Sequence, residues 1–334
     1  MNTNNTTLSS TLHFAGKAQG NIEPKTGTNL LISPKKFVSI APLMGYSDRH
    51  FRYFLRQITR HSMLYTEMIP EGALVKGKKL YFLEFHPDEK PLTLQVGGSN
   101  PDFLYECAKI AESFGFDGIN LNVGCPSEKV QENEMGLCLL KNPERVKLCV
   151  QAMKAGSTLP VSVKTRIGVD DQDSHEALCE FINLLCGVGL DHLTLHARKG
   201  WLKGLSPKEN RTIPPLHYDR VYQIRDAFPD LSLGINGGIT SIDAALAHLT
   251  KVNEVMIGRA AIDDPYLLSA VDFQIYGDET YKDPISREAI LDKMSSYLAQ
   301  AIAQGINSKH ITRHWLGLYR GEPGGRAFRA KLSQ

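Results

Sequence analysis

Along the chain, short runs in which apolar and polar residues alternate are separated by stretches with helical spacing. The runs are FVSIAPLM (37–44), SMLYTEM (62–68), PLTLQVGG (91–98), GINLNVGC (118–125), VSVKTRIG (161–168), HLTLHAR (192–198), LSLGINGG (231–238) and EVMIGRA (254–260). Each predicts a short strand, and in 118–123 the alternation gives one apolar and one polar face. Among the helical stretches, 101–115 is opened by Pro101 and Asp102 and closed by Gly115, and 241–249 has Ser241 as its N-cap. Eight strands alternating with helices over ~220 residues predict an α/β fold, a (β/α)8 TIM barrel, which takes about 250 residues. An open doubly wound sheet is the rival. The barrel is favoured because polar residues gather near the C-terminal ends of nearly every run, as sites around one mouth require.

Long connections follow the fourth strand (126–142) and the sixth (200–220), and long loops on that face carry substrate contacts. Beyond the last strand, 285–306 and 311–321 read as helices, the second ended by Gly321 and Pro323. The expected organisation is a flexible N-terminal tail over 1–33, which is rich in Asn, Thr, Gly and Lys, then a barrel over 34–264 and a small helical domain over 265–334.

Composition narrows the class. No apolar run approaches the roughly 20 residues of a membrane span. The first residues lack the basic and apolar regions of a secretory signal. Six cysteines form no CxxC pair and no cysteine–histidine spacing suited to zinc, so reduced thiols in a cytoplasmic protein and no metal are expected. Net charge is only +2, but from Lys309 to the end six cations stand against the single acid Glu322. Such a basic tail suits a polyanion, although a solvated helix face has the same composition.

The strand ends supply the candidate chemistry. Cys125 follows a strand in which Asn120 and Asn122 oppose Ile119, Leu121 and Val123; Gly124 turns the chain and Pro126 stops the ladder, so the thiol is presented. Taken alone, it reads more readily as a small buried hydrophobe, as most free cysteines are. Gly237 and Gly238 after the seventh strand, and Gly258 with Arg259 after the eighth, sit where barrels bind phosphate; a plain tight turn is the alternative. Lys164, on an otherwise apolar strand, requires an anionic partner. It would form a Schiff base, stabilise negative charge on a reduced flavin, or pair with a neighbouring carboxylate. His196 points to the same mouth. The amide of Gln95 offers both a donor and an acceptor, as a flavin pyrimidine edge demands.

Taken in order, APLMGYSD (41–48), LQVGG (94–98), NVGCPS (122–127), KTRIG (164–168), HAR (196–198), NGGI (236–239) and IGRA (257–260) resemble the tRNA-dihydrouridine synthases. HARKGWLKGLSPKENR and the terminal HWLGLYRGEPGGRAFRAKLS are similar to the A subfamily of the bacterial enzymes. The resemblance implies an FMN-dependent oxidoreductase that reduces the C5–C6 bond of D-loop uridines in tRNA, at positions 20 and 20a, with NADPH as hydride donor. It implies that Pro42, Leu43, Met44, Gln95, Lys164 and His196 hold the flavin ring. Asn236, Gly237, Gly238, Gly258 and Arg259 would then hold its phosphate region. Cys125 becomes the proton donor to C5 and Asn122 a contact to the substrate base. Lys208, Arg211, Arg326 and Arg329 are candidates for tRNA phosphates, and a monomer is expected. Two positions depart from the subfamily pattern: Gly45 and Tyr46 stand where an Asp-Trp pair is common, and Phe328 and Ala330 replace a Trp and an Arg.

Overall fold

Along the long strands most apolar residues face outward and most polar ones inward, Thr165 being an outward exception. The structure, a computed structural model, describes residues 36–333, and the tail expected over 1–33 lies outside the described residues. The strands are β1 (Phe37–Ile40), β2 (Leu64–Tyr65), β3 (Ile69–Pro70), β4 (Leu92–Gly97), β5 (Gly118–Val123), β6 (Val161–Arg166), β7 (His192–His196), β8 (Ser232–Asn236) and β9 (Glu254–Ile257). All pair in parallel, in the order β1-β9-β8-β7-β6-β5-β4-β2. The ends of that path are joined as well. Ile40 N–H donates to the Met63 carbonyl and Met63 N–H to the Val38 carbonyl, both at 2.9 Å. Those two bonds close the barrel and exclude an open sheet.

β3 is an element the alternation does not predict. The 62–68 run keeps ladder pairing only at Leu64 and Tyr65, and the same stave resumes at Ile69–Pro70 against Val96 and Gly97. Elsewhere the outward side chains, such as Val38, Leu94, Leu121, Val163, Leu195, Ile235 and Val255, are fully buried under the helices. Each contributes about 1.5–3 kcal/mol from burial. The helix over Pro101–Phe114 follows its expected bounds, but its cap is Asn100, whose side chain accepts from the N–H groups of Asp102 and Phe103. Gly115 ends it at φ 80°, the left-handed conformation that glycine adopts without penalty. Ser241 caps the next expected helix by accepting from Ala244 N–H.

The helix expected over 285–306 runs over Arg287–Ala303, capped by Ser286. The second expected helix is not continuous. It divides into a turn of helix at Ser308–Thr312 and a 3-10 turn at Arg313–Trp315. Close approach explains the break: a Cβ at Gly317 would lie 2.6 Å from the Ile262 carbonyl oxygen and 2.8 Å from that of Asp263. A further helix, Gly325–Leu332, follows, with Phe328 packed on Tyr319 at 4.7 Å between ring centroids. Ile290, Met294, Ile311, Trp315 and Leu318 join the same apolar core as the outer faces of the strands. Asp48 ties the terminal segment to the barrel: it caps the helix over Arg49–Arg56 and pairs with Arg313 and His314.

Candidate active site

The inward faces of the strands form a largely polar network, interrupted by one apolar cluster of Met63, Tyr65 and Met256. At its floor Glu254 accepts from Ser39 Oγ, from Thr194 Oγ1 at 2.7 Å and from His192, whose Nε2 lies 2.7 Å away; all four residues are fully buried. One layer higher Gln95 Nε2 donates to Asn120 Oδ1 at 2.7 Å, and Asn120 Nδ2 to Ser162 Oγ at 2.9 Å. Asn122 Nδ2 donates to Gln95 Oε1 at 2.9 Å. Because each buried amide has a partner, this interior avoids the ~1–3 kcal/mol that an orphaned polar group costs.

That network reaches the cysteine. Asn122 Oδ1 accepts from the backbone N–H groups of Gly124, at 3.1 Å, and Cys125, at 2.9 Å. The Asn122 side chain therefore makes the turn, whereas the sequence assigned it to Gly124, which is not in the left-handed region. The Cys125 carbonyl accepts from Leu137 N–H at 2.9 Å. Gly136, at φ 73°, packs beneath: a Cβ there would lie 2.5 Å from the Cys125 carbonyl oxygen. Cys125 itself is half-buried against Met68, Val130 and Met135. Arg166 braces the loop from the other side, with Nε on the Gly124 carbonyl and Nη1 on those of Lys199 and Asn210, each at 3.0 Å.

Cations gather across the same mouth. Lys164 Nζ donates to Asn236 Oδ1 at 3.0 Å, and Asn236 Nδ2 to the Met256 carbonyl at 2.7 Å. Lys164 thus has an amide partner in place of the carboxylate considered above. Burial, and then the Arg166 charge, push its ammonium down to about 8. His196 is held well below the ordinary histidine range, first by burial and then by Arg166, Lys164, Arg198 and Arg259. A neutral imidazole follows, and its Nδ1 is buried without a partner. The Nε atoms of Arg198 and Arg211 are likewise buried and unpartnered. Arg259 is exposed and reaches the Arg211 carbonyl at 3.1 Å.

Beside these cations the backbone forms a cradle. Gly237 and Gly238 stand at φ 114° and 75°. Tyr218 Oη donates to the Gly237 carbonyl at 2.7 Å, and a Cβ at Gly238 would meet Leu216 at 2.6 Å and Tyr218 Oη at 2.7 Å. A Cβ at Gly237 would come within 3.1 Å of the His196 ring. Gly258 has no such close neighbour, its would-be Cβ lying 4.0 Å from Ala41 and Asn236. Unpartnered buried donors, four guanidinium groups and a glycine cradle fit a phosphorylated anion. Pro42 and Leu43 are half-buried at the rim, Leu43 against Ala41, Met63, Tyr65 and Met256, while Met44 is 64% exposed.

Most of the expected residues therefore meet at one mouth, but two groups do not. Lys208 is exposed on the long 199–217 loop, and Arg326 and Arg329 are exposed on the terminal helix. Arg211 was grouped with them, yet its side chain is half-buried toward the mouth because Asn210, fully buried, folds the loop inward. Asn210 accepts from Trp201 N–H at 2.7 Å and donates to the Trp201 and Leu205 carbonyls at 3.0 Å. Arg166 and Arg198, which the KTR and HAR motifs put at strand ends of the same mouth without assigning them a role, join the site. Among the described residues no three His, Cys, Asp or Glu side chains gather as a metal site, and no helix is long and apolar enough to cross a membrane.

Comparison with known proteins agrees with this geometry. The family model described as dihydrouridine synthase matches residues 39–334. The tRNA-dihydrouridine(20/20a) synthase of Escherichia coli K12 is 51% identical over 298 residues, covering 89% of this chain and 85% of the relative. The protein of the same name from Synechocystis is 49% identical over 296 residues, covering 89% and 88%. Among solved structures, 2-naphthoyl-CoA reductase in complex with 2-naphthoyl-CoA superposes with a TM-score of 0.53 at 12% identity, over 70% of this chain and 49% of that one. The old yellow enzyme homologue from Zymomonas mobilis gives 0.50 at 14% identity, over 77% and 94%. At that identity these two speak to the barrel fold alone, whereas the family match spans nearly every described residue: the chain belongs to the dihydrouridine synthase family.

Proposed function

We infer that this protein reduces the C5–C6 double bond of D-loop uridines in tRNA, as a tRNA-dihydrouridine synthase acting at positions 20 and 20a. The observation that carries the reading is the single thiol, Cys125, fixed by Asn122 at the rim of a polar mouth whose other side is a cationic cradle.

The cradle fits FMN. Asn236, Gly237, Gly238, Gly258 and Arg259, joined by Arg198, would hold its phosphate. Pro42, Leu43, Met44, Gln95, Lys164 and His196 would line its ring. Bound there, a flavin would supply the hydride that C6 of the uracil takes, and NADPH would be the source of its electrons. The chain's own residues do the rest. Lys164 presents a positive charge with no carboxylate partner, so it is free to meet negative charge on a ligand. His196, neutral, has Nδ1 left to hydrogen-bond. Cys125 carries a proton at Sγ and gives it to C5, a role suited to a general acid held at a loop tip. Gln95 and Asn122 keep that loop in place, and Asn122 faces the uracil.

A uridine in folded RNA must leave its stack to reach such a mouth, which requires a surface that grips the backbone outside the pocket. Lys208, Arg211, Arg326 and Arg329 serve that purpose, the last two on the terminal part of a tRNA-binding helical domain over 265–334. The protein works in the cytoplasm as a monomer. Mapping dihydrouridine in tRNA from cells lacking this protein, and again after its return, tests the reading. Loss and recovery at positions 20 and 20a are expected; unchanged dihydrouridine at both would refute it. Purified protein should also release FMN on denaturation.

A further inference from the structure

Beside the mouth lies a second, apolar cleft of about 270 Å³, lined by Met44, Arg49, Arg52, Met68, Tyr81 and Phe82 among others. Its outer wall is the 3-10 turn Leu80–Leu83. Only Leu83 of that turn points into the core, at 1% exposure; Tyr81 is 59% and Phe82 43% exposed, and their ring centroids are 4.3 Å apart. With Met44 they form an exposed apolar patch, and such patches mark contact surfaces.

The surroundings say what the patch contacts. Lys76, Lys78 and Lys79 lie just before the aromatic pair, with Leu80 between; all three are exposed and outside every ion pair among the described residues, Lys76 lying over the Phe103 ring. The acids of the cleft are already engaged: Glu84 with Arg49 at 2.7 Å, Asp48 with Arg313 and His314, Glu67 with Gly45 N–H. Glu67 has no ion-pair partner among the described residues, but the exposed groups beside it are cationic and aromatic, the combination that binds single-stranded nucleic acid by stacking bases beside a charged track. Continuity with the mouth is direct. Met68 lines this cleft and also packs in the cluster that supports Cys125.

We propose that Tyr81 and Phe82 form a stacking platform for the unpaired base next to the uridine that enters the mouth, with Lys78 and Lys79 on the adjoining phosphates. The proposal rests on the tRNA reading above and deepens it. Positions 20 and 20a are neighbours in the chain, so whichever uridine is being reduced, the nucleotide beside it needs a place outside the mouth.

The test uses the FMN-loaded enzyme and a tRNA substrate, intact or abasic at the nucleotide next to the target. For intact tRNA, Tyr81→Ala/Phe82→Ala should raise KM by about five- to a hundredfold, while flavin reduction by NADPH stays at the wild-type rate. Abasic tRNA should impose a similar penalty on the wild-type enzyme and little more on the double variant. Tyr81→Trp should keep activity, with indole fluorescence quenched on tRNA addition. Wild-type KM in the double variant, or equal abasic penalties in both enzymes, overturns the platform. No dihydrouridine formed by the wild-type enzyme overturns the underlying reading instead.

Discussion

The carboxamide oxygen of Asn122 lies 2.9 Å from the backbone nitrogen of Cys125, so the thiol's position is set by a side chain three residues back in β5. Removing that oxygen frees the loop without touching the thiol. Asn122→Ala should keep its flavin but lose about 10²-fold in turnover, the scale of a misplacement of about 1 Å. Asn122→Asp, which retains the acceptor, should lose less. Cys125→Ala should lose about 10²- to 10⁴-fold as a deleted general acid. Single-turnover oxidation of the reduced flavin by tRNA measures all three, and wild-type rates in Asn122→Ala would remove its positioning role.

Gly238 is the second point at which one atom decides. An alanine there must adopt φ 75° and place its methyl 2.6 Å from Leu216. The left-handed conformation costs an alanine roughly 1–2 kcal/mol, and the ends of the Leu216 and Tyr218 side chains must shift as well. Gly238→Ala should lose FMN on gel filtration, whereas Gly258→Ala, with its open surroundings, should retain more. Equal FMN occupancy in Gly238→Ala and the wild type would count against the cradle.

Lys164 gives a pH signature. Its folded-state pKa is about 8, below the ordinary lysine value, so between about 8 and 10.5 the unfolded chain binds more protons than the folded one. Stability of the flavin-free protein should therefore rise with pH through that window, and the rise should shrink in Lys164→Met. An anion that restores the lysine charge must draw in a proton. Calorimetric titration with FMN at about pH 9, in buffers of different ionisation enthalpy, should show uptake approaching about one proton. No uptake, or the same uptake in Lys164→Met, would exclude contact between the lysine and the ligand's negative charge.

Arg326 and Arg329 stand exposed on the last helix, where nothing in the fold requires their charge. If both contact phosphate, replacing them with alanine should lower the slope of log K against log salt by about two, near one per contact. Filter binding of tRNA at several salt concentrations reads this directly. An unchanged slope would reassign the helix to solvent.

The barrel was legible because period-two alternation survives even where the inward face is polar, as in Gly118–Val123. The bounds of the Pro101–Phe114 and Ile242–Leu249 helices were legible because caps and terminators are local chemistry. Contacts made by distant residues were not. β3 forms only because β4 offers free edge groups at Val96 and Gly97, and the helix expected over 311–321 breaks where Gly317 meets the backbone of Ile262 and Asp263. At the site, residue types and motifs pointed to the mouth, but the direction of a loop side chain did not follow from them. Arg211 turned inward because Asn210, one residue before it, is buried, and no spacing announces that.

Stability and chemistry occupy opposite sides of one sheet. The outward faces of the strands supply most of the apolar burial, whereas the inward faces carry mainly hydrogen bonds and charge beside one small apolar cluster around Met63, Tyr65 and Met256. An inward substitution therefore risks the partners of one amide or one ammonium and leaves the outer shell intact. Within such a wall the reacting groups are free to diverge between descendants, and the reaction performed is open to faster change than the shape that houses it.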